Sequence, residues 1–359
     1  LTSAAPLPIV IIGAGQRVAQ FYLPLLLGPL AERFQVLGLI SRGESRVADL
    51  ARTHELRWSL SLEDARIWGA RGAVVAVSPD QNHQLAAQLL DLQLPGLLET
   101  PLALSLPDSA GIESLLSSSG LPFQIAEQNT RHLPALLWRE LVTRGVIGEL
   151  RAVTSDGAGY RYHATAVARR LFGSRAGKVA TGQRVFTKID LGRGVSQEPL
   201  YSGTIRVDGD GLFHLRASEI FYFESPGWIP GGWQLLGDEG AVHWNERSRP
   251  VVVTNNQAYP FEWQHNSAGR LTGLRVEGIE GLEVVAALPG EELTDDQQAV
   301  ARCLLDWHSA MEGVSTPTAW SPDDAHRDLV WVASIERSAQ LGGAPIALEA
   351  AGIKSAANR

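Results

Sequence analysis

The sequence predicts an α/β fold: a doubly wound parallel sheet at the start of the chain, joined to an α+β domain with a mostly antiparallel, open sheet. Three observations predict it. Short apolar runs alternate with helical stretches up to about residue 128, as in sheets buried on both faces. The first run is followed at once by Gly13-Ala-Gly15. After Gly148 strand-like segments come in succession and helices become few.

Residues 9–12 (Ile-Val-Ile-Ile) read as the first buried strand. Phe21, Leu25 and Leu26 then recur at helical spacing, so the order is strand, glycine turn, helix. Such a turn lets the backbone approach a pyrophosphate and aims a helix N-terminus at it. Two glycines alone occur in many turns, but here they follow a strand and open a helix, the context a dinucleotide site requires. Gly13, Gly15, Gln16, Arg17 and Val18 are therefore cofactor-binding candidates. Val18 stands at the third glycine position of the usual pattern, so helix and strand are expected to pack slightly less closely.

The second strand covers 34–40, and its end should face the adenosine ribose. An acidic residue there would take the 2′-hydroxyl. This chain reads Ser41-Arg42-Gly43-Glu44-Ser45-Arg46. A hydroxyl and two arginines suit a 2′-phosphate, because guanidinium matches phosphate oxygens. Ser41, Arg42 and Arg46 thus favour NADP over NAD. A solvated loop with chance basic residues is the plainer alternative, and Glu44 is close enough to play the acidic part.

Ser61-Leu-Glu-Asp64 has the form of a helix-start capping box. A third strand follows at 73–77, then Ser78-Pro79-Asp-Gln-Asn-His83 and a helix at 84–92. Further strands are expected at 94–98, before Glu99-Thr100-Pro101, and at 123–126, before Glu127-Gln128-Asn129. Ligands of parallel sheets sit beyond the carboxyl ends of the strands. Residues 13–18, 41–46, 78–83, 99–101 and 127–129 should therefore line one crevice. Ser78, Pro79, His83, Glu99 and Gln128 join the cofactor-binding candidates, with His83 read as a cofactor-side or structural histidine. The expected domains are 1–128 and 129–359.

In the second domain, strands are expected at 150–154, 203–207, 212–218, 221–223, 241–244, 250–253 and 274–276. Val300, Leu304, Trp307 and Met311 mark a helix with one buried face. Another helix begins at Ser321, with Pro322 in its first turn and Asp324 placed to cap, and Gly342-Gly343 stops it. Residues 174–200, rich in Gly, Arg and Lys, read as a loop over the site or an irregular excursion.

With 359 residues the chain can bury two cores, and its net charge of −8 argues against nucleic acid or acidic membranes as partners. Cys303 is the only cysteine, which excludes an intrachain disulfide and a cysteine metal cluster. The histidines show no metal-ligand spacing, so no metal is expected. Leu1 to Leu7 lack the basic start and long apolar core of a signal peptide, no apolar run reaches membrane-span length, and a cytoplasmic location is expected.

Taken together, these motifs resemble the glucose–fructose oxidoreductase / inositol dehydrogenase / MocA (Gfo/Idh/MocA) family. The landmarks are Gly13-Ala-Gly15 with Leu23-Pro24, Ser78-Pro79 with His83, Glu99-Thr100-Pro101-Leu102-Ala103, Asn129-Thr-Arg131-His-Leu-Pro134, Gly145-Val-Ile-Gly148, Asp323-Asp324-Ala325 and Glu336-Arg-Ser338. The resemblance covers most of the chain. It implies a Rossmann domain, an α+β substrate-binding and oligomerisation domain, a homodimer or homotetramer, and hydride transfer between NAD(P) and a small carbonyl, imine or sugar-like substrate.

The resemblance also implies site residues, with two departures. Where the family has Glu-Lys-Pro, Thr100 replaces the lysine and supplies only a hydroxyl. The family's Asp and His at a helix start correspond to Gly159 and His163, counted back from Leu171-Phe-Gly173. His163 is the acid/base candidate, since imidazole titrates near neutrality; a histidine that only orders the helix is the alternative. Tyr160 and Thr100 are further catalytic candidates. Tyr162, Arg161 and Asn129 are candidates for substrate, although aromatic packing is the favoured role for any one of the tyrosines and a plain exposed arginine explains Arg161 equally. The loss of both Lys and Asp leaves open a catalytically inactive nucleotide-binding regulator or scaffold of the same fold, and an NAD-dependent glycosidase.

Overall fold

The structure, a computed structural model, describes residues 5–158, 160–190, 195–218, 232–245 and 249–348. They form two compact units. Among the described residues, the first comprises those of 5–132, 266–271 and 286–326, and the second those of 133–265, 272–285 and 327–348.

The first unit is built on six parallel strands: β1 (Leu7–Ile12), β2 (Phe34–Ile40), β3 (Arg57–Ser59), β4 (Gly72–Val75), β5 (Gly96–Leu98) and β6 (Gln124–Ile125). Their order in the sheet is β3-β2-β1-β4-β5-β6, so the direction of winding reverses between β1 and β4. β4 and β5 are buried throughout, as apolar runs with helices on both faces require. The helices are α1 (Leu23–Leu27), α2 (Glu44–Thr53), α3 (Glu63–Ile67), α4 (Asn82–Asp91) and α5 (Leu106–Ser118).

The chain is helical from Gln16, and Val18–Tyr22 is wound as a π turn that closes with the Leu23 N–H on the Val18 carbonyl. That wider turn moves the buried face. Val18, Tyr22, Leu23, Leu25 and Leu26 lie in the core, whereas Phe21, expected there from α-helical spacing, is only partly buried. The capping box at Ser61 does not form either: Ser59 Oγ donates to the Asp64 carboxylate, and α3 starts after Leu62 without a side-chain cap.

The second unit contains α6 (Leu133–Thr143) and α7 (Arg161–Phe172) with an eleven-stranded sheet. Its strands are β7 (Leu150–Ala158), β8 (Gly177–Asp190), β9 (Val195–Val207), β10 (Gly211–Ala217), β11 (Gly232–Gly237), β12 (Gly240–Asn245), β13 (Val251–Thr254), β14 (Gln257–His265), β15 (Leu271–Val276), β16 (Glu283–Val285) and β17 (Ile346–Ala347). The order is β16-β15-β14-β13-β12-β11-β7-β10-β9-β8-β17, with β7 and β10 parallel within an otherwise antiparallel arrangement.

Residues 174–200 are not an irregular excursion. β8 and β9 pair antiparallel from Gly177↔Val207 to Asp190↔Val195. Residues 183–186 are exposed in succession, so this stretch of β8 lacks the alternation by which a half-buried strand is read. The strand expected at 221–223 lies outside the described residues.

Two helices follow. α8 (Asp295–Met311) opens with a capping box made by Thr294 and Gln297, and belongs to the first unit, where Val300, Cys303, Leu304 and Trp307 enter the same core as β1 and β2. α9 (Pro322–Gln340) is capped by Ser321 and Asp324, each side chain accepting the other's backbone N–H.

Candidate functional site

Each unit presents its own set of candidate residues. In the first, they collect at the carboxyl ends of the parallel strands, around the reversal point between β1 and β4, where sheets of this kind bind their ligands.

The glycine turn sits there. Gly13 has φ +123°, and a Cβ on it would come 2.1 Å from the Ala76 carbonyl oxygen, so the end of β4 itself demands a glycine. Gly15 is different: a Cβ there would meet nothing within 4 Å. The protein does not fill the space in front of Gly15, as a cradle for a pyrophosphate must leave it. Gln16 is exposed and Val18 is fully buried. Beyond β2, Ser41 Oγ accepts the Gly43 N–H at 3.5 Å, and Arg42 and Arg46 are exposed with no ion pair among the described residues. Glu44 begins α2 beside them. These residues fit a dinucleotide.

On the β5–β6 side the structure brings together Arg17, Glu99, Thr100 and Gln128. Arg17 Nε donates to Glu99 Oε1 at 2.6 Å, its Nη2 donates to Gln128 Oε1, and its guanidinium lies 4.2 Å from the centre of the Phe21 ring. Tyr22, fully buried, donates its hydroxyl to the same Glu99 oxygen at 2.7 Å, and the Thr100 N–H donates to Glu99 Oε2 at 3.1 Å. Burial opposes the charge on Arg17, but Glu99 outweighs it and raises the guanidinium's pKa. Burial and the Glu99 charge together push the Tyr22 phenol well above its ordinary range. Tyr22 was not singled out from sequence, and Phe21 only as a buried-face position. A phenol in an otherwise apolar helix face was the available signal, because a buried Tyr hydroxyl needs a partner.

Asn82 holds the next segment, its side-chain amide donating to the carbonyls of Pro101 and Leu102. The Thr100-Pro101 peptide is cis. Ser78 and Pro79 open a short turn before α4. His83 is on the exposed side of α4, beside Gly111 of α5, and is not drawn into the Arg17 cluster. Asn129 lies in the turn after β6, where its N–H donates to Glu127 Oε1 at 3.1 Å. Behind it, Arg131 and Asp306 form a buried pair at 3.0 Å, and burial pushes the Cys303 thiol up to about 12, which keeps it protonated.

In the second unit the candidates gather at the start of α7. Tyr160 is the N-cap residue, and the His163 N–H donates to its carbonyl at 3.2 Å. The Tyr160 and Tyr162 rings stack at 5.5 Å, and the His163 ring lies 4.4 Å from that of Tyr162. Arg161 is paired with Glu336 at 2.9 Å and lies over Tyr201 at 4.6 Å. Gly159 lies outside the described residues. Among those described, no group of three or more His, Cys, Asp or Glu is arranged to hold a metal, and no helix is long and apolar enough to cross a membrane.

Compared by sequence, the chain matches no protein-family model and no curated protein. By fold it is similar to an oxidoreductase from Agrobacterium radiobacter solved with NAD+, L-tartaric acid and magnesium, at TM-score 0.74 and 14% identity over 96% of this chain and 99% of that one. It is likewise similar to an inositol dehydrogenase homolog from Azotobacter vinelandii solved with NADH and myo-inositol, at TM-score 0.73 and 13% identity over 96% and 98%. An oxidoreductase from Sinorhizobium meliloti gives TM-score 0.75 and 14% identity over 96% and 100%. At these identities the likeness is one of fold.

Proposed function

We propose that the chain is a nicotinamide-dependent oxidoreductase acting on a small carbonyl, imine or sugar-like substrate, with NADP preferred over NAD. The observation that carries this reading is the Gly13–Gly15 turn. One glycine is fixed by the Ala76 carbonyl, the other faces unfilled space, and both lie at the reversal point of a parallel sheet. Two of the proteins similar in fold were solved with NAD+ or NADH, which supports the cofactor class.

When bound, the cofactor would supply or accept the hydride. The chain's own residues have the other tasks. The backbone around Gly15 receives the pyrophosphate. Arg42 and Arg46, neither committed to an ion pair among the described residues, take a 2′-phosphate. His163 gives a proton to the substrate heteroatom, or takes one from it, through its imidazole. A homodimer or homotetramer is expected from the resemblance. One observation favours a second reading, a nucleotide-binding scaffold without turnover: Thr100 offers no cation where the resembling family has lysine.

Titration of the purified protein with NADPH and NADH, followed by nicotinamide fluorescence, tests the proposal. Micromolar binding of NADPH with much weaker binding of NADH is expected. The reverse preference would make Glu44 the ribose ligand, and binding of neither would overturn hydride transfer.

A further inference from the structure

Arg17 follows the glycine turn of β1, yet its side chain is fastened to residues at the ends of β5 and β6. A doubly wound sheet holds a dinucleotide as two mononucleotide halves, and the ribose-facing end of β2 marks the adenosine half. By the strand order, Glu99 and Gln128 belong to the other half. The guanidinium is therefore held on the half of the sheet opposite the adenosine-facing end of β2.

The pair is held in place from several sides. Glu99 accepts three donors: Arg17 Nε, the Tyr22 hydroxyl and the Thr100 N–H. Arg17 is gripped by Glu99, Gln128 and the Phe21 face, and only about a quarter of its side chain is exposed. Its Nη1 donates no hydrogen bond among the described residues and is not buried. Charges held in this way are screened far less than surface charges.

The two redox forms of nicotinamide differ at the ring: the oxidised ring carries a positive charge and the reduced ring does not. A group of fixed charge in this half of the site acts on one form and not on the other. We propose that the Arg17–Glu99 pair is a charge-balanced element that sets the relative affinity of this chain for oxidised and reduced cofactor. Glu99 attracts the oxidised ring, Arg17 repels it, and together they keep the preference small. This inference rests on the nicotinamide reading of the site.

The experiment measures dissociation constants for NADP+ and NADPH in the full-length wild type, Arg17→Met, Glu99→Gln and the double variant, and compares the ratio of the two constants. Arg17→Met leaves Glu99 unbalanced and should shift the ratio toward the oxidised form. Glu99→Gln leaves Arg17 unbalanced and should shift it toward the reduced form. A full charge roughly 10–15 Å from the ring, at an effective dielectric constant of about 20, corresponds to roughly five- to thirtyfold in each direction. The double variant should return the ratio to near that of the wild type. The shifts have opposite signs, so either single variant alone tests the inference if the other fails to fold. Equal weakening of both cofactor forms would reduce the pair to a structural brace and overturn the inference while leaving the proposed function standing. Failure of the wild type to bind either form would overturn both.

Discussion

Arg131 and Asp306 meet at 3.0 Å, with side chains 0% and 7% exposed, and so tie the turn after β6 to α8 inside the first unit. Thr318 donates to the other carboxylate oxygen at 2.8 Å, and Arg131 Nη1 donates to the Glu127 carbonyl at 2.9 Å. Breaking a buried pair leaves one uncompensated charge in a poor solvent. Asp306→Ala should therefore cost about 3–5 kcal/mol of stability. Replacing Arg131 and Asp306 together by Met and Leu should cost much less. Denaturant unfolding of the two proteins checks the difference.

His132 gives a pH dependence of defined sign. Burial lowers its pKa, but Asp295 at 2.8 Å and Asp296 at 3.2 Å outweigh burial and raise it. The unfolded chain binds this proton less tightly than the folded chain. The stabilisation is thus complete below the unfolded value of about 6.5 and is lost as pH rises through the raised folded value. The stability difference between wild type and His132→Gln should be largest near pH 5.5 and should shrink by pH 9. Unfolding curves across that range would show it.

The two glycines of the turn should respond oppositely. Gly13→Ala meets the Ala76 carbonyl at a backbone angle unsuited to alanine, and should lose about 3 kcal/mol or more of stability. Gly15→Ala meets nothing, and should leave the melting temperature within about 3 °C. Its nucleotide affinity should nonetheless fall about tenfold or more, the equivalent of one charged hydrogen bond. Melting and fluorescence titration of both variants make the comparison.

His163→Gln should lower turnover roughly 10²–10⁴-fold and flatten the pH–rate profile, with cofactor binding unchanged. A histidine that only packs on Tyr162 would, when replaced, lower stability and leave the pH profile intact.

Arg42→Ala with Arg46→Ala should weaken NADPH by about tenfold or more, as expected for loss of charged hydrogen bonds, and leave NADH unchanged. Equal effects on the two cofactors would return both arginines to the solvated loop.

The first sheet was legible because its signals are local: apolar runs buried on both faces, and a glycine turn between strand and helix. Less was legible where partners are distant or periodicity shifts. Arg17 reaches Glu99 across 82 positions and Gln128 across 111, and nothing near Arg17 in sequence announces either. The π turn from Val18 to Tyr22 rotates the buried face away from the α-helical pattern that pointed to Phe21. Residues 183–186 of β8 are exposed in succession, so no alternation marks that stretch. Asp64 was read as a capping partner of Ser61, and Ser59 takes its carboxylate instead.

The place of α8 has a consequence for how the molecule is made. Trp307 is wholly buried, stacks on Phe34 and donates its indole N–H to the Pro122 carbonyl, so the first unit lacks a central piece of its core until α8 exists. During synthesis the glycine turn emerges early, but α8 follows only after residues 133–265 have been made. At ribosomal speed that is a wait of roughly seven to thirty seconds. Through that interval the nascent first unit carries an open hydrophobic seam, which α8 closes from a segment far along the chain.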